Sequence, residues 1–466
     1  MRVEDNADRI AADIRLAWAV PGWEREPPLH LAQLLERFRI PGVSIAVVRG
    51  GELAWAYAWG VAAAGRPDPV TPRTLFQAGS ISKPVAAVCA LRLVAQGRLD
   101  LEADVNRLLV SWKVPSNHGW QPRVSVRQLL SHTAGLTVHG FDGYPPDRPV
   151  PSLVEVLNGQ GNTPPVRVGT VPGLQFSYSG GGYCVLQQLL VDLTGLAFPQ
   201  LAQELVLGPL GMGDSSYQQP LPEDRWAQAA HGHRIGGAPV RGGWHVYPEM
   251  AAGGLWTTPS DLARFAAAVQ RARANAAGAI LPPELAGELL RPQAPNAQVG
   301  LGLLLEGEGS SLRFGHGGDD EGFLARLLAS AASGSGVVVM VNSDNGEALL
   351  RPVVEAVARA EGWREVLPQV PQPRQATAGA DLDRYCGRYR LPDGRLLHIQ
   401  REQDTLVLVP PGQDALVLVP AGERRWTARS VSATVTFEYD RDPMPARLIL
   451  HQQAMYVEDV EAVRAR

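Results

Sequence analysis

Runs of apolar residues separated by turn-forming residues give the first outline of this chain. Residues 42–48 and 52–59 are two apolar runs joined by a glycine turn, which predicts a pair of β-strands. Residues 322–328 and 337–341 predict a second pair around a Gly/Ser turn, and residues 347–361 predict a helix. Strands from both ends of this region are expected to share one sheet, with a long, mainly helical segment rich in Pro and Gly between them.

A buried helix is predicted after the tetrad Ser80-Ile81-Ser82-Lys83. Pro84 follows the tetrad, and proline is accepted in the first turn of a helix because the amide groups there have no intrahelical partner to lose. Residues 85–91 are apolar nearly all round, which is typical of a helix packed between layers. Gly97 marks the expected end of this helix.

The residue composition and the hydrophobic pattern of the chain change after residue 365. Residues 366–380 are rich in proline and polar residues, which cannot pack a core, and they predict a linker between a domain of residues 1–365 and a domain of residues 381–466. The last domain contains short apolar runs at even spacing, which predict a small antiparallel barrel or sandwich. These runs cover residues 385–390, 396–401, 405–409, 415–419, 425–428, 434–439 and 447–451.

The charge and the cysteines of the 466-residue chain narrow the function classes. The formal net charge is −4 and the charged residues are dispersed, so no nucleic-acid surface is predicted and a small-molecule or peptide-like substrate is expected. Cys89, Cys184 and Cys386 lie in apolar or aromatic segments without paired spacing, which favours buried thiols over disulfides or a zinc site. The oligomeric state stays open.

No targeting or membrane segment is predicted. Residues 1–16 mix acidic and basic side chains and lack the apolar core of a signal peptide, and no apolar stretch is long enough to span a bilayer. The expected location is therefore cytoplasmic, or periplasmic or secreted if a leader has been removed.

Lysine is scarce in this chain and therefore informative. Only two of the 43 basic residues are lysines, Lys83 and Lys113. Arginine keeps its proton in a protein, whereas a buried lysine can lose its proton and act as a base. Positions i and i+3 share one face of a helix, so Lys83 is placed to activate the hydroxyl of Ser80. A serine that only caps the helix gives the same tetrad, which is a weak signal when it stands alone.

Two further segments carry side chains that could complete a site with Ser80 and Lys83. Tyr178 lies on a glycine-flanked turn before a predicted helix, where its hydroxyl could relay a proton, although a lone tyrosine of this kind is more often structural. His316 lies in a glycine-rich segment, residues 314–319, just before a predicted strand. Small neighbours would let a substrate approach the backbone, and exposed amides could form an oxyanion pocket; a glycine turn with a solvated histidine is the ordinary alternative.

Together these residues resemble the serine hydrolases of the β-lactamase and penicillin-binding-protein family, in particular class C β-lactamase-like esterases and D-stereospecific peptidases. Ser80-Ile81-Ser82-Lys83 resembles the first motif of that family, Tyr178-Ser179-Gly180 its Tyr-x-Asn, and His316-Gly317-Gly318 its Lys-Thr-Gly or His-x-Gly. Supporting segments lie at residues 129–136, 209–212 and 253–258. Several segments in the expected order make the resemblance specific.

The resemblance implies an α/β (α+β) fold. Its main part would be a β-lactamase/transpeptidase-like domain with an antiparallel sheet and a helical subdomain, and the active site would lie between the two. The C-terminal domain is similar in pattern to the lipocalin-like barrels appended to some relatives. The resemblance also implies a bacterial enzyme that needs no cofactor and no metal.

The resemblance further implies a role for each matching residue. Ser80 would be the acylated nucleophile, and Lys83 and Tyr178 would share the role of general base. The backbone amides of Ser80 and Asp319 would form the oxyanion hole, and His316 would face the carboxylate or acyl side of the substrate. The candidate site residues are Ser80, Lys83, Tyr178, Gly180, His316, Gly317, Gly318 and Asp319.

Gly180 departs from the pattern of the family, which usually has an asparagine there. The missing side-chain amide normally helps to hold the amide group of a substrate, so its absence favours esters or peptide-like amides over β-lactams. The histidine of the third motif points the same way, because it replaces a permanent charge with a titratable one. The alternative from another class is a catalytically silent penicillin-binding-like sensor that keeps the scaffold.

Other hydrolase classes lack their motifs in this chain. No Gly-x-Ser-x-Gly elbow of an α/β-hydrolase occurs. His231 and His233 form the only close histidine pair, and no His-Glu-x-x-His helix accompanies them, so both are interpreted as loop residues. His132 and His139 are likewise interpreted as structural hydrogen-bonding residues in turns.

Overall fold

The structure, a computed structural model, divides the chain into two units. One unit contains Met1–Ile14 and Leu29–Arg364, and the other contains Arg15–Pro28 and Glu365–Arg466. The structure describes residues 3–15, 28–294, 297–364, 366, 382–392, 394–403, 405–411, 415–421, 424–428, 433–440, 444–452 and 460–465. The linker predicted over residues 366–380 therefore lies, apart from residue 366, outside the described residues.

The first unit combines helices with one large sheet. Its helices are α1 (Val3–Ala11), α2 (Leu31–Phe38), α3 (Ser82–Ala95), α4 (Val105–Leu108), α5 (Val126–Leu130), α6 (Leu153–Leu157), α7 (Gly180–Thr194), α8 (Phe198–Ala202), α9 (Met250–Gly253), α10 (Pro259–Arg273), α11 (Pro283–Leu289) and α12 (Glu347–Glu361). Its strands are β1 (Gly42–Arg49), β2 (Glu52–Gly60), β3 (Phe76–Gln77), β4 (Trp256–Thr257), β5 (Leu304–Glu306), β6 (Arg313–Asp320), β7 (Phe323–Ser330) and β8 (Gly336–Val341). A 3₁₀ turn at Gly79–Ile81 leads into α3.

Six of these strands form an antiparallel sheet in the order β2-β1-β8-β7-β6-β5. The pairing of β1 with β8 sets Val43 opposite Val341, so the strands predicted at the two ends of this unit do share one sheet. Both strands are buried along nearly their whole length, because α10 packs on β1 and β8 while α12 also packs on β8. Strands buried on both faces read as continuous apolar runs, which is why the sequence predicts them well.

Helix α3 is buried along most of its length, as its apolar sequence predicts. Each residue from Ser82 to Leu91 is buried, and the helix gives way to Gly97, which has a φ of 68°. Among the described residues, no single helix is long and apolar enough to cross a membrane. The helices Gly180–Thr194 and Phe198–Leu207, bent by 84°, together pass that test of length and composition.

The segment around His316 is a strand, whereas its glycines predict a turn before a strand. It forms the middle of β6, where His316 pairs with Leu327 of β7. A Cβ atom at Gly315 would lie 2.1 Å from the carbonyl oxygen of Leu327, and one at Gly318 would lie 1.9 Å from that of Ala78. The glycines are therefore needed because neighbouring backbones lie too close for a side chain. Because glycine has a low strand propensity, the sequence pattern does not predict this strand.

The second unit is a closed antiparallel barrel in the order β10-β11-β12-β13-β14-β15-β16-β9. Its strands are β9 (Gly387–Arg390), β10 (Leu396–Glu402), β11 (Thr405–Val409), β12 (Leu416–Pro420), β13 (Arg425–Ala428), β14 (Ala433–Glu438), β15 (Arg447–Gln452) and β16 (Val460–Arg464). The predicted runs correspond to β9–β15. Strand β16 carries Glu461 and Arg464 among its five residues, so it leaves no apolar run in the sequence.

Aromatic side chains pack the core of the barrel unit. The ring of Phe437 lies 4.7 Å from the ring of Tyr385 and 6.0 Å from that of Tyr389, measured between centroids. Tyr385 also contacts Trp426 edge to face. Such a filled interior is expected of a small eight-stranded barrel.

Candidate active site

The hydroxyl of Ser80 lies on a tightly fixed turn. Gly79 has a φ of 50°, and a Cβ atom there would lie 2.3 Å from the backbone nitrogen of Asp319, so the conformation and the space both require glycine. The hydroxyl of Ser82 donates to the carbonyl of Gly79 at 2.6 Å and accepts from the amide of Leu255 at 3.0 Å. The turn is thereby held against β6 on one side and the segment after α9 on the other.

Lys83 reaches the Ser80 hydroxyl from one helical turn further along the chain. Its Nζ lies 2.8 Å from Ser80 Oγ and 2.8 Å from the carbonyl oxygen of Ala252. The ammonium position also lies 5.0 Å from the ring centroid of Tyr178 and 5.9 Å from that of Tyr183. Ser80 is half-buried and reachable, whereas only 2% of Lys83 is exposed.

Burial controls the protonation of Lys83. The loss of hydration lowers the pKa of Lys83 to about 7, and electrostatic interactions with Cys184 and Asp320 partly oppose this change. A lysine with such a pKa is partly neutral at neutral pH, and its lone pair can accept the proton of Ser80. The burial of Lys83 that the sequence predicts is confirmed, and the lowered pKa allows the amine to accept a proton at neutral pH.

Lys113, the other lysine, has an ordinary structural position. Its Nζ donates to the carbonyl oxygen of Asn106 at 2.7 Å and also to that of Leu109, the last carbonyls of α4. A cation at the carboxyl end of a helix satisfies such groups. The two lysines are therefore chemically distinct, and only Lys83 adjoins a serine hydroxyl.

Tyr178 is held beside Lys83 by two histidines. The ring of His132 stacks on the ring of Tyr178 with centroids 4.2 Å apart, and its Nδ1 accepts the amide proton of Ser179 at 3.0 Å. His139 bonds through Nδ1 to the carbonyl oxygen of Tyr178. Both histidines are structural hydrogen-bonding residues, as the sequence indicates. The sequence does not reveal that they fix the Tyr178 turn.

His316 is buried and neutral. Its Nδ1 lies 2.6 Å from the carbonyl oxygen of Gly317, and its ring centroid lies 6.1 Å from that of Tyr178. Burial, together with the nearby charge of Lys83, lowers the pKa of His316 to about 3. The alternative of a glycine turn with a solvated histidine is therefore wrong, because the strand places the imidazole inside the unit with only 2% exposed.

Asp319 and Asp320 bring the third motif against the Ser80 turn. The backbone nitrogen of Asp319 lies beside Gly79, so the amides of Ser80 and Asp319 belong to neighbouring backbone segments. Asp320 is buried, and its carboxylate accepts the amide proton of Gly79 at 3.1 Å. This carboxylate is absent from the sequence prediction, since nothing in the pattern shows that its side chain faces the turn.

Gly180 begins α7, and the space beside it is occupied. A Cβ atom at Gly180 would lie 2.8 Å from the ring of Phe141 and 3.0 Å from the carbonyl oxygen of His139. Ser179 caps the helix by accepting the amide proton of Gly182 at 2.9 Å. The aromatic ring of Phe141 thus takes the place in which a side chain at position 180 would begin.

Glu249, just before α9, is a second buried carboxyl that the sequence does not single out. The residue is fully buried, and neither carboxyl oxygen has a hydrogen-bond partner among the described residues. Burial raises the pKa of Glu249 to about 7. Its charge also contributes to raising the pKa of Asp320, which burial places well above the usual range.

Several polar residues from the sequence lie elsewhere in structural roles. His233 accepts the amide proton of Ala64 at 3.1 Å and donates to the carbonyl of Asn342 at 2.9 Å, as expected of a loop histidine. The three cysteines are free thiols, and Cys89 and Cys184 are buried while Cys386 is half-buried. Burial raises the pKa of Cys89 to about 12, which makes this thiol inert.

The comparisons with known proteins agree with this geometry. The beta-lactamase family matches residues 30–360. A β-lactamase from Escherichia coli K12 is 29% identical over 242 residues, which are 50% of this chain and 58% of that protein. Esterase EstB from Burkholderia gladioli is 30% identical over 310 residues, which are 59% of this chain and 75% of that protein.

A solved structure resembles nearly the whole chain. The octameric penicillin-binding protein homologue from Pyrococcus abyssi has a TM-score of 0.61 at 20% sequence identity, covering 93% of this chain and 98% of that one. At this identity the likeness shows the fold, a β-lactamase/transpeptidase-like domain with a C-terminal barrel. Because the family match covers most of its length, this chain belongs to the beta-lactamase family and is a serine hydrolase.

Proposed function

We propose that this protein hydrolyses esters or peptide-like amides through an acyl-enzyme on Ser80, with weak or no activity on β-lactams. The main observation behind this proposal is that Lys83 Nζ lies 2.8 Å from Ser80 Oγ, while burial lowers the pKa of the lysine to about 7. A serine hydroxyl, a buried amine that can act as a base and a flanking tyrosine are groups that can carry out acyl transfer. The esterase match supports the choice of substrate class.

Acylation begins at the hydroxyl of Ser80. The neutral amine of Lys83 accepts the hydroxyl proton while Ser80 Oγ forms a bond to the carbonyl carbon of the substrate. The amides of Ser80 and Asp319 stabilise the resulting oxyanion. When the tetrahedral intermediate collapses, the bond to the leaving group breaks, and Lys83 returns the proton to that group through Tyr178. In deacylation, water gives a proton to the base as its oxygen bonds to the acyl carbon, and the bond to Ser80 Oγ then breaks as the proton returns to the serine and the carboxylic acid leaves.

Fixed groups stabilise the protonated lysine during this cycle. The carbonyl of Ala252 accepts a hydrogen bond from Nζ, and the faces of Tyr178 and Tyr183 interact favourably with the positive charge. These groups need not move when the proton arrives, which keeps the reorganisation energy small.

The preference against β-lactams rests on two features of the site. Gly180 has no side chain, and the ring of Phe141 fills the adjacent space, so no amide at this position can hold a substrate amide. His316 is neutral because burial holds its pKa at about 3, so it cannot attract the carboxylate of a penicillin as a lysine would.

The pH dependence of hydrolysis is expected to follow Lys83. Because the base must be neutral, kcat/KM for an ester should fall about tenfold for each pH unit below its pKa. With that pKa at about 7, the acid limb of the profile should bend near neutral pH. Burial raises the pKa of Glu249 into the same range, so Glu249→Gln is the control. An acid limb that disappears in Glu249→Gln would assign the titration to Glu249 instead.

Restoring an asparagine at position 180 should require a second change. Gly180→Asn alone is expected to destabilise the protein, since its Cβ atom would meet Phe141. The double variant Gly180→Asn/Phe141→Ala removes the contact with the Phe141 ring, so that only the 3.0 Å approach to the carbonyl oxygen of His139 has to relax, and it should raise the rate on amides or β-lactams relative to esters. Phe141→Ala alone is the matched control. An unchanged ratio in the double variant would show that Gly180 does not set the preference.

The silent-sensor alternative is favoured by one feature, the missing amide at Gly180. The two proposals differ in turnover, which steady-state assays with a short p-nitrophenyl ester and a penicillin can measure on wild type and Ser80→Ala. We expect ester turnover that depends on Ser80 and little turnover of the penicillin. Ester turnover no faster in wild type than in Ser80→Ala would support the sensor.

A further inference from the structure

Asp320 places a buried carboxyl group beside the turn that carries Ser80. It is the last residue of β6 and is only 4% exposed, and its Oδ2 accepts the amide proton of Gly79 at 3.1 Å. A Cβ atom at Gly253 would lie 3.2 Å from its Oδ1, which places the other carboxyl oxygen against α9. This one side chain therefore lies between the Ser80 turn and helix α9.

Two hydrogen bonds hold the peptide groups on either side of Gly79. The amide of Gly79 donates to Asp320, which fixes the peptide group before the glycine. The carbonyl of Gly79 accepts from the hydroxyl of Ser82 at 2.6 Å, which fixes the peptide group after it. Glycine has more backbone freedom than any other residue, and Gly79 has a φ of 50°, so these two restraints define its conformation. Because a peptide group is planar, they also set the direction of the Ser80 amide.

We infer that Asp320 is a positioning residue, which aligns the Ser80 amide for oxyanion binding by accepting the hydrogen bond from Gly79. Without this acceptor, the buried amide of Gly79 loses its partner, and the glycine is free to turn towards another acceptor. Such a turn moves the Ser80 amide away from the position that the oxyanion takes. The inference rests on the proposed acyl transfer at Ser80.

The role of Asp320 depends on the hydrogen bond rather than on a negative charge. Asp320 interacts electrostatically with Lys83, so an ionised carboxyl group could also act on the base. Burial, followed by the charge of Asp319, raises the pKa of Asp320 well above its usual range, although Lys83 and the Gly79 amide oppose this change. A neutral carboxyl group still has an acceptor oxygen, and an asparagine has the same acceptor without a charge. Asp320→Asn therefore separates the two roles.

Two substrates that differ in one atom test this inference. One is a short p-nitrophenyl ester, and the other is its thiono analogue, in which sulfur replaces the carbonyl oxygen. Sulfur accepts hydrogen bonds weakly, so aligned amides accelerate the oxygen ester much more than the thiono ester. The oxygen-to-sulfur ratio of kcat/KM therefore reports the alignment of the oxyanion amides, and a general loss of folded protein does not change it.

Two variants remove the acceptor, and one keeps it. Asp320→Ala and Asp320→Leu should lower the oxygen-to-sulfur ratio about tenfold or more, as expected when an oxyanion donor is misaligned. Leucine fills the space that alanine leaves empty, so the two variants differ in their cost to stability. Asp320→Asn should keep the ratio of wild type.

Asp261→Ala is the control for the loss of a buried carboxyl group elsewhere in the same unit. Asp261 is 1% exposed, and it accepts the amide proton of Asp214 at 2.9 Å and the hydroxyl proton of Ser215 at 2.8 Å. Its removal should lower the melting temperature and leave the oxygen-to-sulfur ratio as in wild type.

The outcomes distinguish this inference from the proposed function. An unchanged ratio in Asp320→Ala and Asp320→Leu, or a ratio that falls as far in Asp320→Asn, would overturn the inference while the acyl-enzyme proposal stands. Failure of both variants without the acceptor to fold would make Asp320 a purely structural residue and would overturn it as well. The absence of Ser80-dependent turnover of the oxygen ester in wild type would overturn both the inference and the proposed function.

Discussion

Lys83→Arg should lower kcat for ester hydrolysis by about 10³-fold or more, the usual magnitude of losing a general base. Arginine preserves the positive charge and the hydrogen-bonding capacity, but it cannot release its proton. The buried position of Lys83 adds a steric cost, since the larger guanidinium must fit between Ser80 and the carbonyl of Ala252. Steady-state kinetics with a p-nitrophenyl ester measure the change directly.

Lys113→Arg is the matched control, because the chain contains only these two lysines. The Lys113 side chain donates to the last carbonyls of α4, and an arginine can donate to them as well. Activity and thermal stability should therefore stay close to wild type in Lys113→Arg. Near-normal turnover in Lys83→Arg would rule out a proton-accepting role for Lys83.

Gly318→Ala should damage both the stability and the activity. The new methyl group would lie 1.9 Å from the carbonyl oxygen of Ala78, immediately before the turn that carries Ser80. Strand β6 must then move away from the turn, which should cost about 1–3 kcal/mol of unfolding free energy as overpacking. Since the amide of Asp319 moves with the strand, kcat should fall about 10²-fold, as when an oxyanion donor is lost.

Gly287→Ala is the matched control, because the space around Gly287 can accept a side chain. Gly287 lies within α11, and a Cβ atom there meets nothing within 4 Å. Alanine favours the helix by about 1 kcal/mol relative to glycine, so this variant should be at least as stable as wild type and equally active. A Gly318→Ala protein that melts and turns over like Gly287→Ala would show that β6 need not lie against the Ser80 turn.

The sequence predicts the elements whose burial is uniform. Strands β1 and β8 and helix α3 are apolar on every side, so their position between layers follows from the pattern alone. Strand β6 does not follow from the pattern, because Gly315 and Gly318 are required by the approach of neighbouring backbones. Only the tertiary structure shows that approach.

The candidate site also has parts that the sequence predicts and parts that only the fold shows. Ser80 and Lys83 are joined by local helical geometry, so their spacing predicts their 2.8 Å contact. The neutral state of His316 depends instead on burial and on the carbonyl of Gly317. Asp320 accepts the amide proton of Gly79 beside Ser80, and Glu249 interacts electrostatically with Asp320, but no motif marks either carboxyl. The protonation and charge of the candidate site therefore depend on the fold, whereas the candidate pair Ser80 and Lys83 can be identified from the sequence.

Intact-mass spectrometry tests the acyl-enzyme at Ser80 most directly. Wild type and Ser80→Ala are incubated with a fluorophosphonate, a short p-nitrophenyl ester and a penicillin, and the protein mass is followed over time. We expect a stable fluorophosphonate adduct and a transient ester adduct in wild type, and neither adduct in Ser80→Ala. Adducts that persist in Ser80→Ala, or no adduct with any reagent in wild type, would contradict acyl transfer through Ser80.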